Sequence, residues 1–439
     1  MRLGSSKRQA KDISSQLRLR VFNIVALAIL YAGFFLGGGL AVAPVSLAAT
    51  EGATLPSDTV LYLRLQTKVS TKACKAGDAV TATIAREVGV QGKVAIPIGA
   101  VVKGSVEKCT QPSAPNERAE LLLKFTGLVS PGSKEQTLKG HVSGVENARE
   151  SVQPDGTIVG VAASDTPATL LSGVLQRLGS LDPSISDEIR KQRIGEVNTA
   201  IEYPAGTDLQ FTLTQPLTVA RLLSPATSEQ LPSNLKDSLV KFLADAPQRS
   251  SGKDSKPGDP VNIIIIGAAQ DIQEAFHQAA WTEPKLKSAD SILGTVRAVI
   301  NEEGYAAAPI SDLYLYGRKQ DAAFERLLNT FNQRHHLRLW QTSQSSPDGR
   351  PIWLAAATHD TGIDIHPGVV SHAIDPSLDD EREQVRSDLV ACGAVQAAGL
   401  LTPPHPLTSG LTATGGDWKT DGRLAVIELK PAAAPTSAP

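Results

Sequence analysis

Residues 21–49 carry no charged side chain. The twenty residues before them carry six basic groups (Arg2, Lys7, Arg8, Lys11, Arg18, Arg20) against one acid, Asp12. An uncharged run of that length after a basic start cannot be folded into an ordinary soluble core without wasting its flank. It is the pattern of an export signal, in which the basic start stays in the cytoplasm and the apolar stretch enters the bilayer. Two outcomes fit. Ser46-Leu47-Ala48, or Ala41-Val42-Ala43 further in, would serve as a small-x-small cleavage site. Alternatively the stretch stays as an anchor, since about 20 apolar residues span a bilayer. Gly37-Gly38-Gly39 weakens a helix there and favours a signal ending nearby. Either outcome makes 1–49 a signal peptide or signal anchor. The rest is then exported, periplasmic or held at the inner membrane through residues 21–49, with the C-terminus outside the cytoplasm. No cysteine lies near the junction to carry a lipid.

The exported part is long enough for two or three domains. With 41% hydrophobic residues in 439, the chain can build packed cores. A formal charge of −2 excludes a chain built wholesale to bind nucleic acid. Three cysteines exclude a disulfide scaffold and any Cys-rich metal centre. In an oxidising compartment Cys74 and Cys109, both in strand-rich context, are candidates for one disulfide, and Cys392 has no obvious partner.

Residues 57–149 read as short strands separated by Gly turns. Val60–Leu65, Ala79–Ile84, Lys93–Val106 (broken at Pro97 and Gly99), Leu121–Leu128 and Thr137–Val145 follow one another. A helical stretch interrupts at about 156–195, and the alternating strand Asp208–Leu213 closes the series. This is an all-β barrel or sandwich over 50–223. Residues 224–260 read as a linker with one amphipathic helix, Ser233–Ala246, and a flexible end, Ser250–Pro260. Residues 261–430 mix strands and helices without strict alternation, an α+β domain with a mixed sheet. Its run Val261–Gly267 is wholly apolar, as a strand central in a sheet is. Helices are expected at Asp271–Trp281, Asp290–Ile300 and Leu378–Cys392. Ser346-Pro347-Asp348-Gly349 is expected to turn a hairpin. Residues 431–439 form a disordered Pro/Ala tail. The fold class is therefore multi-domain: signal or anchor helix, β-barrel or sandwich, then α+β.

Ile96–Val106 and Pro204–Leu217 resemble the strand pair and closing strand of small β-barrel domains of bacterial envelope proteins. Similar barrels in conjugation-system scaffold proteins are structural, which implies the same here. Further on, Pro260–Gly267, Asp312–Asp321 with Ala323-Phe324-Glu325, His335–Trp340, Gly349–Thr358, His372 with Ile374-Asp375-Pro376, Glu381-Arg382 and Thr420–Arg423 run in order over about 170 residues. Together they resemble the LssY C-terminal domain family. The family's biochemical role is unassigned, and its neighbouring membrane-embedded segments are absent from these residues. The resemblance therefore implies no phosphatase chemistry. Where a second histidine is expected before Ile374-Asp375-Pro376, the chain has Ala373.

The polar residues of those segments are the candidate site: Arg318, Asp321, His336, Arg338, Asp360, His372 and Asp375. Strand alternation puts His336, Arg338 and Trp340 on one face and His335, Leu337 and Leu339 on the other. The Leu face is then core, with His335 buried or at its rim, and His336 and Arg338 face outwards or into a cleft. One reading is a metal-dependent hydrolase with His336, Asp360, His372 and Asp375 as N/O ligands of a divalent cation. HExxH, a phosphate-cradling loop and a nucleophile elbow are all missing from the sequence. Another is an anion or glycan site with Arg318, Arg338 and His336 as donors. The third is structural: the acids cap a helix and the arginines form ion pairs. Residues 258–430 hold 14 Lys/Arg against 22 Asp/Glu, and such an acidic domain repels nucleic acid and anionic headgroups. The leading expectation is a non-catalytic envelope module that binds a protein partner or small ligand, through an exposed apolar patch near Trp340 or Trp353. The runner-up is the metal-dependent hydrolase acting on an envelope substrate.

Overall fold

Alternation of apolar residues sets the first domain. In β1 (Val60–Leu65), Leu61, Leu63 and Leu65 are buried while Val60, Tyr62 and Arg64 point the other way. The same period runs through β2 (Ala79–Ile84), β3 (Val101–Thr110), β4 (Glu120–Val129), β5 (Gly140–Val145) and β6 (Asp208–Leu213). They pair antiparallel in the order β5–β6–β1–β2–β3–β4, extended by Ile158–Val159 and Ser151–Val152. The sheet curls until β5 approaches β4, which gives a nearly closed barrel. Closure needs bends. The β3–β4 register shifts at Gly104, where a Cβ would lie 2.4 Å from the Lys124 carbonyl oxygen. Only glycine permits that approach. Leu63, Leu65, Ile84, Val102, Leu123, Phe125, Phe211 and Leu213 fill the interior.

The computed structural model describes residues 52–431 apart from 115, 166–197, 225–230, 254, 285–310, 327–333, 367–368 and 413–415, and not the side chains of 165 and 362–372. The expected signal or anchor at 1–49, most of the helical insertion at 156–195, the helix Asp290–Ile300 and nearly all of the tail at 431–439 lie outside the described residues. Among the described residues no helix is long and apolar enough to cross a membrane.

Cys74 and Cys109 are disulfide-bonded, with Cα atoms 6.2 Å apart and a sequence separation of 35. Cross-linking a loop of that size stabilises a domain by about 4 kcal/mol, chiefly by restricting the unfolded chain. Reduction, or the Cys74→Ser/Cys109→Ser pair, is expected to lower the stability of the barrel by that amount, read from its urea midpoint. An unchanged midpoint would contradict it.

The second domain is built on β7 (Ile263–Ile266). All four isoleucines are fully buried, because this strand is interior to the sheet and covered on both faces. The other strands are β8 (Ala322–Arg326), β9 (Arg334–Ser345), β10 (Pro351–His366), β11 (Val369–Ile374), β12 (Val395–Leu401) and β13 (Leu424–Leu429). Their order is β8–β9–β10–β7–β13–β12, with β11 on β10. Only β7–β13 is parallel among these pairs, so the sheet is mixed. β9 and β10 form the hairpin at Ser346–Gly349, with Gly349 at φ 86°.

Among the described residues three helices cover it. α1 (Ser233–Leu243) lays Leu235, Leu239 and Leu243 on one face, over Ile264, Ile266 and Leu354. α2 (Ala269–Gln278) and α3 (Leu378–Ala391) cover the other, with Ile272, Phe276, Val385 and Leu389 over Ile263, Ile265, Leu337 and Ile427. Ser250–Pro260, expected as a flexible linker end, contains paired strands instead: Arg249–Ser251 aligns with Pro257–Pro260. Burial also removes the expected apolar patch. Trp340 is 0% and Trp353 4% exposed, because helices occupy both faces of the sheet.

Candidate functional site

The same alternation divides the polar residues of β9 and β10. Arg334, His336 and Arg338 lie on the α1 side of the sheet, with Glu325 and Asp360 opposite them in register. His336 Nε2 lies 2.9 Å from Asp360 Oδ1, and Arg334 Nε donates to Asp360 Oδ2 at 2.9 Å. Arg334 Nη1 donates to Glu325 Oε2 at 3.3 Å. Arg338 donates to the Ser311 carbonyl and to Asp259 Oδ2, at 3.0 and 3.1 Å. The expectation that His336 and Arg338 face outwards or into a cleft is corrected: each is only 5% exposed. Two-sided covering of the sheet is the reason. Burial pushes the Glu325 carboxyl up to about 8, aided by Asp360 and opposed by Arg334. Burial also lowers the Arg338 guanidinium, against the pull of Asp259 and Asp360.

Of the expected metal quartet, the three side chains that the structure describes do not converge. His336 and Asp360 meet on the α1 side. Asp375 instead meets His359, its Oδ2 3.9 Å from His359 Nδ1, and accepts the Ser377 N–H at 2.8 Å. His359 and Asp360 are consecutive, so their side chains leave opposite faces of the strand. The His372 side chain lies outside the described residues. The anion or glycan grouping also separates. Arg318 is half-exposed, paired with Asp321 and with the Gln341 carbonyl, whereas His336 and Arg338 are interior.

A further polar assembly was not anticipated from sequence. It lies where the barrel meets α3, within the compact unit formed by residues 50–439. Arg64 and Asp208 face each other across β1 and β6 and form a double hydrogen bond of 2.6 and 2.7 Å. Arg64 Nη2 also donates to Asp388 Oδ1 of α3 at 2.6 Å. Arg326 Nη1 donates to Asp208 Oδ2 at 2.9 Å and to Asp388 Oδ2 at 3.2 Å. Trp281 Nε1 and Gln384 Nε2 complete the shell of Asp388, at 2.9 and 3.0 Å. Two arginines and two aspartates make a neutral, nearly dry quartet. Burial alone would raise both carboxyls, but Arg326 and Arg64 overcome it and hold them below the usual range. Beside it, Arg86 of the barrel donates twice to Gln384 Oε1, at 2.7 and 3.1 Å.

A second junction follows on the same side of the sheet. His335 Nδ1 lies 2.6 Å from Glu381 Oε2 of α3. His359 Nε2 lies 2.8 Å from Asn147 Oδ1 of the turn after β5. One weak sequence signal pointed here. α3 carries Glu381, Gln384, Ser387 and Asp388 as well as Val385 and Leu389, so an apolar stripe accounts for only part of what it buries.

A search of curated proteins returns no match. Among solved structures the chain is similar to ComB10 of the Com type IV secretion system of Helicobacter pylori, with 12% identity and a TM-score of 0.22. That match covers 38% of this chain and 90% of the other, and at that score it carries no argument. Residues 243–424 match the family model described as the LssY C-terminus, the family that the segments from Pro260 to Arg423 resemble, and a barrel-like β domain precedes the match.

Proposed function

We propose that the protein is an exported or membrane-anchored bacterial envelope protein whose barrel and C-terminal domain act together as a non-catalytic binding or scaffold module. The observation that carries this reading is where the motif polar groups go. Arg326, Arg334, His335, His336, Arg338, Asp360, Glu381 and Arg382 are all buried and bonded to one another, to the barrel or to neighbouring loops. Groups spent on internal ion pairs position domains and are not free to contact a substrate. The Cys74–Cys109 disulfide supports an oxidising compartment.

The runner-up, a metal-dependent hydrolase of envelope substrates, is favoured by one feature. Glu325 holds its proton near neutral pH beside His336 and Asp360, as a general acid does. Its own burial argues against it, since Glu325 is 0% exposed.

Two measurements test the proposal. A C-terminal alkaline phosphatase fusion is expected to be active, and an inactive one would remove the export half. The purified full chain is expected to turn over no ester, phosphate or glycoside substrate. Turnover abolished by Asp360→Asn, with the fold retained, would put the hydrolase in its place.

A further inference from the structure

His335 and His359 face each other across β9 and β10, and their rings stack with centroids 4.4 Å apart and planes 16° apart. Glu146 reaches them from the barrel. Its Oε1 lies 3.4 Å from His359 Nε2 and 3.8 Å from His335 Nε2. One donor atom from each of the three residues fits within 4.8 Å of the others. His335 is 2% exposed, and its Nε2 has no hydrogen-bond partner. Glu381 Oε1 and Asn147 Nδ2, close by, are likewise buried without one. A well-packed interior does not leave such atoms together without cause.

We propose that Glu146, His335 and His359 bind a divalent transition cation of the zinc class and that the ion clips the barrel to the C-terminal domain. The donor set is right: two imidazoles and one carboxylate suit zinc and its neighbours. The spacing is right as well. Bonds of about 2.0–2.1 Å in a tetrahedron put ligand atoms roughly 3.3 Å apart, so Glu146 Oε1 is already near that distance from both nitrogens. The outer shell is in place. Glu381 accepts the proton of His335 Nδ1 and so turns the Nε2 lone pair toward Glu146, while Asp375 stands behind His359 Nδ1. Asn147 Oδ1 now accepts the proton on His359 Nε2 that the ion would displace. Charge favours a cation: Glu146, Glu381 and Asp375 surround the two rings. The nearest guanidinium in register, Arg326, is already held by Asp208 and Asp388. The site shares no ligand with His336 and Asp360, and Asp375 serves it only from behind His359. It stands apart from the scaffold reading, since an ion here would sit in the domain junction whatever the domains do.

The test uses the full chain, purified without a histidine tag and stripped with EDTA. Titration with Co²⁺ is expected to give visible d–d absorption saturating at one ion per chain, without a thiolate charge-transfer band. Zn²⁺ is expected to displace Co²⁺ and to raise the melting temperature. Glu146→Gln and His359→Gln should each weaken Co²⁺ binding at least tenfold while melting in EDTA close to the wild type. Glu146 sits on a turn and Gln keeps its size and shape, so that change disturbs packing little; should one variant misfold, the other carries the comparison. Absence of a saturating band would overturn the proposal. So would equal affinity in both variants, which would place the ion at surface groups such as His277 and Glu283.

Discussion

Asp388→Ala is expected to cost about 3–5 kcal/mol and to split one unfolding transition into two. The carboxylate is fully buried and accepts hydrogen bonds from Arg64, Arg326, Trp281 and Gln384. Removing it leaves Arg64 and Arg326 facing Asp208 alone, a net positive charge in a dry junction. Breaking a buried ion pair on one side carries a penalty of that size, because the remaining charge is uncompensated. The intact quartet is a different quantity: an apolar replacement of all four groups would be nearly neutral in stability. Its use is to specify how the domains dock. A quadruple change of Arg64, Asp208, Arg326 and Asp388 to apolar residues of similar volume is therefore expected to restore much of the loss without restoring the docking geometry. Urea unfolding followed by barrel and C-terminal probes decides the matter. A loss below about 1 kcal/mol with coincident transitions would show that the junction is not held by this quartet.

The parts of the fold set by short-range pattern were readable from the sequence. Ile263–Ile266 announced an interior strand, and Ser346–Gly349 a hairpin, because local chemistry decides both. Asp208–Leu213 showed its alternation, with Leu209, Phe211 and Leu213 turned inwards. The site was not readable. Arg64 and Asp208 point out of the barrel, and an outward pair of opposite charges looks like any solvated surface pair. Only the second domain, whose Asp388 lies 180 residues further along, makes them interior. His335 had its face assigned from alternation, but what packed on that face comes from Glu381 and from the barrel. In the expected quartet His336, Asp360, His372 and Asp375, two of the described members part to opposite faces of the sheet. His359 and Asp360 are neighbours on one strand, so Asp360 cannot serve the same face as the residue that meets Asp375.

Stability is expected to fall with rising pH through a window governed by Glu325. Its carboxyl is pushed up to about 8 in the folded protein, from an ordinary value of 4.5, first by burial and then by Asp360. Between these values the unfolded chain has released the proton while the folded chain keeps it. Folding must then take up a proton, so stability drops by about 1.4 kcal/mol per pH unit as pH rises from 4.5 to 8. The contribution is fully present below 4.5 and gone above about 8. Over the whole window, roughly 3.5 pH units at about 1.4 kcal/mol each, it is on the order of 5 kcal/mol. The neighbours that could mask it are Arg334, His336 and Arg338 on β9, Asp360 on β10 and Asp259 behind Arg338. Of these, Asp360 is paired with both Arg334 and His336. Glu325→Gln keeps the shape and the neutral form at every pH. It is expected to be close to wild type at pH 5 and more stable than wild type at pH 8.5, with the difference growing along the predicted slope. Urea midpoints of the two proteins at intervals from pH 5 to 9 measure it. If the variant loses stability at high pH, Glu325 is ionised and paired with Arg334 in the folded state. The cluster would then be an ordinary buried ion-pair network, and the one feature that favours proton-transfer chemistry in this domain would be gone.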